Sequence, residues 1–351
     1  MISDSDKIIS LRSPFKLIHF HMVIISGLRG LSCISQWRVD GLKIAVIGAG
    51  AMGGLIGGLL RLSGLDVTLV EKNQDIVDAI SKKGLVIVDG ESTINVSDIK
   101  IVDEGRLAYP ADYALVLVKS YHTRSAGIEA EKALSGDGIA VTLQNGLGNI
   151  ETLASILGWH RVLAGVTTWG ATLVEPGVVR IGGKGYIKLG APKGGHGESL
   201  HRLVEAFNRA MLNASISDDI LRDIWIKVAV NAAINPVTAL TRARNGEVLE
   251  DRNLLNIALE AACEAVEVAK AEGVSVPDCS EVREAVINVM KTTSSNVSSM
   301  LQDIVRCRPT EIDAISGEVY RRGLKYGVNA GVNRILYSLV KNLESRACRK
   351  L

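Results

Sequence analysis

The stretch Leu42–Gly53, LKIAVIGAGAMG, most narrows what this chain can fold into. Its first half is a short β-branched apolar run of the kind that forms a strand buried on both faces. Its second half carries Gly48, Gly50 and Gly53 on the G-x-G-x-x-G spacing, with Ala49, Ala51 and Met52 between them, and the apolar, glycine-rich GLIGGLLRLSG follows. In a strand–turn–helix unit the first glycine permits the tight turn, the second lets backbone approach a pyrophosphate, and the third lets helix pack on strand. The helix N-terminus then faces the phosphates. By itself the spacing is a weak signal. Here a second strand, DVTLVEK, ends in an acid eighteen positions after Gly53, where a ribose contact is expected. Dinucleotide binding is the prediction, through Gly48, Ala49, Gly50, Ala51, Met52 and Gly53. Glu71 suits the adenosine ribose diol of NAD, whereas Lys72 beside it suits the 2′-phosphate of NADP, and the two residues leave that choice open.

Further strand-like runs at Leu85–Val88, Tyr113–Val118 and Ile139–Leu143 give the βαβ rhythm of an open, mostly parallel sheet. Lys119 follows the second of these, and Gln144, Asn145 and Gly146 follow the third, so both points should line a cleft at the carboxyl ends of the strands. His122 lies close by with no partner assignable. Short glycine-containing strands from Val162 to Gly190 predict an antiparallel extension of the same sheet, and Leu200–Met211 predicts a helix.

From about Asp218 the pattern is helical. In IWIKVAVNAAINPVTAL, Ile224–Leu240, the residues Lys227, Asn231 and Asn235 recur every four positions and share one helical face. Every other position from Ile224 to Ile234 is apolar, so this helix should be buried all round, and its one cation and two amides need polar company. Pro236 is expected to end or kink the helix after Asn235. Asp251–Glu272 predicts a core helix that stops at Gly273. In SSNVSSMLQDIVRCRPTEID, Asn296 and Ser299 precede a short helix, and Thr310 is positioned to cap another with Glu311 in its first turn. Glu311 could instead meet Lys227 across a cleft. The fold class expected is therefore an α/β Rossmann N-terminal domain, residues 42–217, plus an all-α C-terminal domain, residues 218–351. Residues 1–41 fit neither and read as an extension or an early-assigned start, with the working chain beginning at or after Met22.

Composition points to a small molecule as the partner. A net charge of +2 over 351 residues lacks the basic excess of a nucleic-acid binder. The apolar run Leu17–Leu28 is too short to span a membrane and is interrupted by two histidines. Five scattered cysteines, Cys33, Cys263, Cys279, Cys307 and Cys348, with no CxxC pair, argue against a disulfide framework and against a metal site, and favour a reducing cytoplasm.

The motifs KIAVIGAGAMGG, VLVKSYHT, LQNGLGN, TTWGATL, GGKGYIKLG, IWIKVAVNAAINPVTAL and SSMLQDIVRCRPTEID occur in the order seen in the ketopantoate reductase family, which the chain resembles over roughly residues 42–344. The resemblance implies reduction of 2-dehydropantoate to pantoate with NADPH, on the route to pantothenate and coenzyme A, at a site between the two domains. By motif position, Lys227 would be the general acid. Asn231, Asn235, Asn296 and Ser299 would hold the substrate's carboxylate and oxygens, Glu311 its hydroxyl end, and Asn145 would sit near nicotinamide and substrate. Lys72 and Lys119 fall where the family contacts NADPH. Where the family often has arginine at the end of the second strand, this chain has Glu71 and Lys72, so NADP(H) is the expected cofactor with NAD(H) allowed. A homodimer is compatible with the reading. The alternatives are a related 2-oxo acid or 3-hydroxy acid oxidoreductase on the same scaffold, and a non-catalytic dinucleotide-binding sensor.

Overall fold

The computed structural model describes residues 39–104 and 110–346. The extension read over residues 1–41, with its start near Met22, lies outside them as far as residue 38. From Lys43–Ile47 (β1) the chain turns through the glycine loop into helix Ala51–Leu62 (α1) and returns as Asp66–Glu71 (β2). Helix Gln74–Lys83 (α2) leads to Leu85–Asp89 (β3), Ser92–Val96 (β4) and Lys100–Asp103 (β5). Ala111–Val116 (β6), helix Thr123–Ala133 (α3), Leu134–Thr142 (β7), helix Asn149–Leu157 (α4) and Val162–Thr167 (β8) keep the alternation. Gly170–Glu175 (β9), Val178–Gly183 (β10), Ile187–Gly190 (β11), helix Gly197–Arg209 (α5) and Ala214–Ile216 (β12) complete this half.

Among the described residues, eight strands form one sheet in the order β12-β11-β8-β7-β6-β1-β2-β5. Neighbours run parallel except β8 with β11. Ile47 of β1 pairs with Val70 of β2 on one side and Val116 of β6 on the other, so the direction of winding reverses at β1. A crevice opens at such a reversal, outside the carboxyl ends of the strands.

Two expectations about the sheet are corrected. Leu85–Asp89 leaves the main sheet and forms a second one, β4-β3-β10-β9. The reason is local: Asp89-Gly90-Glu91 makes a tight return with Gly90 at φ +59, which forces β3 and β4 into an antiparallel hairpin. The run 162–190 likewise divides. β8 joins the main sheet in parallel, β9 and β10 pair antiparallel in the second sheet, and β11 alone extends the main sheet in the antiparallel sense.

The glycines of α1 explain how two sheets share one helix. A Cβ at Gly57 would lie 2.7 Å from Leu69 of the main sheet, and one at Gly58 would lie 2.8 Å from both Leu85 and Ile87 of the second. The helix is therefore sandwiched with bare backbone on both faces, and the leucines and isoleucines of both sheets join one core around it.

The helical half begins at Ile220–Thr241 (α6), capped by Asp219, whose side chain accepts from the Arg222 amide at 3.0 Å. Asn245–Glu250 (α7), Arg252–Ala271 (α8), Cys279–Thr292 (α9) and Ser299–Val305 (α10) follow, then a π-helical turn at Asp313–Gly317, Glu318–Tyr326 (α11) and Gly331–Arg346 (α12). Trp225, Val228, Ala233 and Val237 of α6 pack on the alanines of α8 and on Val282, Val286 and Met290 of α9.

Pro236 does not end α6, which runs five residues further. The helix loses one hydrogen bond at Pro236, but Ile234–Ala239 is buried, and packing on that scale outweighs a local break. Thr238 adds a tie, its hydroxyl 2.8 Å from the Ile234 carbonyl and 2.7 Å from Ser298 Oγ. The cysteine reading also changes. Cys263 of α8 and Cys279 of α9 form a disulfide, because a seven-residue connection brings the two helices back alongside each other. The scatter of cysteines in the sequence therefore does not by itself specify a reducing compartment.

The sandwiched helix is testable. Gly58→Val should lower unfolding stability in urea by about 1–3 kcal/mol through overpacking against Leu85 and Ile87. An unchanged midpoint would show that the second sheet yields freely.

Candidate active site

A cleft of about 920 Å³ lies at the winding reversal, between the carboxyl ends of the strands and the helical half. Its floor at one end is the glycine loop. Gly48 sits at φ +97, a left-handed conformation that disfavours side chains, and a Cβ on Gly53 would stand 1.8 Å from the Gly48 carbonyl oxygen. Gly50 is different, for a Cβ there would meet nothing within 4 Å and would project into open space. Gly48, Gly50, Ala51 and Met52 line the cleft. Ala49 and Gly53 instead serve the loop's own geometry. Gly50 caps α1 without a side-chain acceptor, so the first-turn amides of α1 are left for an anion. This cradle fits a dinucleotide pyrophosphate.

Glu71 ends β2 beside the loop and is buried. Its carboxylate accepts from the backbone amides of Ala49 at 2.7 Å, Lys72 at 3.0 Å and Asn73 at 2.9 Å. Three of its roughly four acceptor positions are thus taken by the loop and the strand end. Lys72 extends across the rim, with Nζ 2.9 Å from Nε2 of His122 on the turn after β6. Sequence alone assigns His122 no partner; the reversal at β1 supplies one, because β2 and β6 flank it. Burial, reinforced by Lys72, holds the His122 imidazole below its ordinary pKa, while Glu71 opposes the shift.

At the other end stand the residues of the α6 stripe. Lys227 and Asn231 line the cleft, whereas Asn235, one turn on, is buried and does not. No hydrogen bond or ion pair joins the Lys227 ammonium to another described residue. Burial pulls its pKa down to about 8, and the nearby Glu311 charge only partly opposes this. Asn296 and Ser299 also line the cleft. Their side chains and that of Asn231 likewise make no hydrogen bond among the described residues. Four polar side chains therefore border one cavity with their hydrogen-bonding groups open to whatever fills it.

Glu311 does not take the first-turn role at Thr310, nor does it ion-pair with Lys227. Thr310 is held by Glu344, which accepts from its amide at 2.7 Å and its hydroxyl at 2.6 Å. Glu311 is nearly buried and faces the main sheet, accepting from the Ser120 amide at 3.1 Å and from Asn145 Nδ2 at 3.3 Å. Lys119 is its cation at 3.4 Å, and Lys119 also meets Asp303 at 2.6 Å. Burial disfavours the Lys119 charge, but Glu311 and Asp303 outweigh it and raise its pKa. Burial raises the Asp303 pKa too, against the pull of Lys119. Lys119 thus lines the cleft as a partner of two carboxylates.

Asn245 is a cleft residue that sequence reasoning missed. It lines the cleft at the start of α7, its Nδ2 donates to Thr293 at 2.8 Å, and its Oδ1 is buried without a partner. No sequence signal marks it: Asn245 stands off the four-residue stripe of α6, and its place in the cleft follows from where α7 docks.

A reversing parallel sheet with a glycine cradle, faced by a helical half that presents an unpartnered lysine, defines a Rossmann-type oxidoreductase with a helical C-terminal region. Residues 44–194 match the family model described as ketopantoate reductase PanE/ApbA, and residues 219–344 match its C-terminal counterpart. The 2-dehydropantoate 2-reductase of Pyrococcus horikoshii is 37% identical over 87% of this chain and 98% of its own length, and that of Archaeoglobus fulgidus is 37% identical over 86% and 98%. Among solved structures, a ketopantoate reductase from Ralstonia eutropha superposes with a TM-score of 0.80 at 31% identity, covering 88% of this chain and 100% of its own. A ternary structure of D-mandelate dehydrogenase with NADH and anilino(oxo)acetate gives 0.83 at 27% identity, covering 87% and 99%. The chain belongs to the ketopantoate reductase family.

The Lys119 cluster carries a prediction of its own. Lys119→Met leaves Asp303 and Glu311 buried without their cation, which should cost about 3 kcal/mol at pH 7. The loss should shrink as pH falls and Asp303, whose pKa burial raises, takes up a proton. An equal loss at pH 5 and pH 8 would show that the charge pairing is not what matters.

Proposed function

We propose that this protein reduces 2-dehydropantoate to pantoate, with Lys227 as the proton donor. The observation that carries the reading is a lysine with no ion pair to another described residue, lining the same cleft as Asn231, Asn296 and Ser299. Addition of hydride to a ketone builds negative charge on oxygen, and an ammonium held nearby stabilises that charge and supplies the proton. A nicotinamide dinucleotide, when bound in the glycine cradle, supplies the hydride. Asn231, Asn296 and Ser299 offer donors to a carboxylate and oxygens without adding charge. Glu311, anchored from the sheet side, leaves its remaining acceptor capacity for a substrate hydroxyl, and Asn145 is oriented by that same carboxylate. Asn235 backs the stripe from within the core. The residues divide between two domains, the Rossmann half to about residue 217 and the helical half beyond it.

For the cofactor we favour NADP(H), on the strength of Lys72 at the rim. Glu71 supports NAD(H) as the alternative. A second substrate reading rests on the likeness to D-mandelate dehydrogenase, a protein solved with NADH and anilino(oxo)acetate. It favours a 2-oxo acid with a larger substituent. Parallel turnover of 2-dehydropantoate and an aryl 2-oxo acid by the purified protein separates the two readings, and absence of turnover with either would leave the sensor.

Lys227 makes the mechanism specific. Lys227→Ala should lower kcat by about 10²–10⁴-fold while dinucleotide binding persists. Because its folded pKa is near 8, reduction should be fastest below that value and fall as pH rises through it and the acid loses its proton. A bound substrate carboxylate would move this limb upward. A pH-independent kcat/KM from 7 to 9.5, with chemistry rate-limiting, would refute the assignment.

A further inference from the structure

The Lys72–His122 contact points to a role for a residue that neither the stripe nor the glycine loop accounts for. We propose that His122 and Lys72 form a two-cation clamp for the 2′-phosphate of NADPH, closed by a proton taken up on His122, so that the preference between NADPH and NADH depends on pH. This deepens the dinucleotide reading and rests on it.

The geometry carries the argument. β2 and β6 flank β1, so the residues just beyond their carboxyl ends face each other over the adenosine end of the glycine cradle. Lys72 Nζ stands 2.9 Å from His122 Nε2 and 3.3 Å from Nδ1, and both residues line the cleft. An ammonium at that distance requires a ring nitrogen with a free lone pair, so His122 is neutral in this arrangement. Among the described residues the charged neighbours are few. Glu71 and Lys72 come from β2, Glu104 from the end of β5, and the Tyr121 ring meets His122 edge-on at 4.6 Å. Glu129 and Lys132 of α3 act on Glu104 with opposite signs.

With His122 neutral, one ammonium faces two carboxylates, a rim that does not welcome a dianion. A 2′-phosphate set between Lys72 and His122 replaces the ammonium's pull on the ring nitrogen with that of an anion, and the imidazole gains a proton. Glu71 does not block this, because three backbone amides already hold its carboxylate. It keeps one acceptor position for a ribose hydroxyl, a contact that NADH can also use. His122 is thus a specificity-determining residue rather than a catalytic one.

The test is a pair of binding titrations, NADPH and NADH, following protein fluorescence from pH 5.5 to 8.5. The ratio of Kd for NADH to Kd for NADPH should rise roughly tenfold as pH falls across this range, the scale of one charge-assisted contact. His122→Gln should abolish the rise, leaving a ratio that falls toward low pH as the 2′-phosphate protonates, and Lys72→Gln should lower it at every pH. The 2′-phosphate's own protonation, near pH 6, acts in the opposite direction and remains in His122→Gln. A ratio flat in the wild type overturns the proposal. So does a rise that survives His122→Gln, which would hand the titration to Glu104, whose carboxyl pKa burial raises. If neither dinucleotide binds, the dinucleotide reading falls with it. If both bind with a pH-independent ratio, only the clamp falls.

Discussion

Among the described residues three cations tie the sheet half to the helical half: Lys119, Arg322, and Lys188 of β11, which meets Asp223 of α6 at 3.1 Å. Lys119, at the end of the β6 segment, meets Asp303 of α10 and Glu311 before the π turn. Arg322 of α11 reaches Glu151 of α4 at 2.6 Å while also holding Glu272 and Glu318. Between them the backbone closes up, with the Leu147 amide donating to the Ala314 carbonyl at 2.8 Å and no room for a Cβ on Gly146. Everything the cleft does depends on this seam, because it sets the glycine cradle and the α6 stripe at a fixed distance.

The seam gives the two lysines of the cleft opposite characters. Lys119 has two carboxylates and its charge is secured, whereas Lys227 has burial without a partner and its charge is weakened. The same side chain thus serves as scaffold in one place and as acid in the other, and the difference lies in the neighbours. Glu311 connects them. Its carboxylate is taken up mainly by Lys119, Ser120 and Asn145, yet its field still favours the protonated form of Lys227.

Much of this is legible in the amino-acid sequence. The strand, glycine loop and helix at Leu42–Gly64 have one physical reading, and the four-residue recurrence of Lys227 and Asn231 puts both on one face wherever the helix goes. What the sequence hides is tertiary. Glu311 can be placed near a helix start, but the choice between Lys119 and Lys227 as its cation depends on how two distant segments dock. Asn235 shares the stripe's spacing, but the roughly 40° drift per step carries it into the core. The hairpin at Asp89-Gly90 is readable as a turn signal, which the rhythm of a βαβ repeat masks. Pro236 breaks a rule of local propensity that the buried packing around it overrules. The pairing of Cys263 with Cys279 follows only from helices α8 and α9 lying side by side.

That pairing has a consequence for the chain as a covalent object. The segment from Glu272 to Asp278 that joins α8 to α9 is half-exposed, the kind of connection a protease finds first. A cut there would divide the chain into a larger piece carrying the glycine loop and the α6 stripe and a smaller piece carrying Asp303 and Glu311. The Cys263–Cys279 bridge spans that cut, so both halves of the cleft would remain one molecule until the disulfide is reduced.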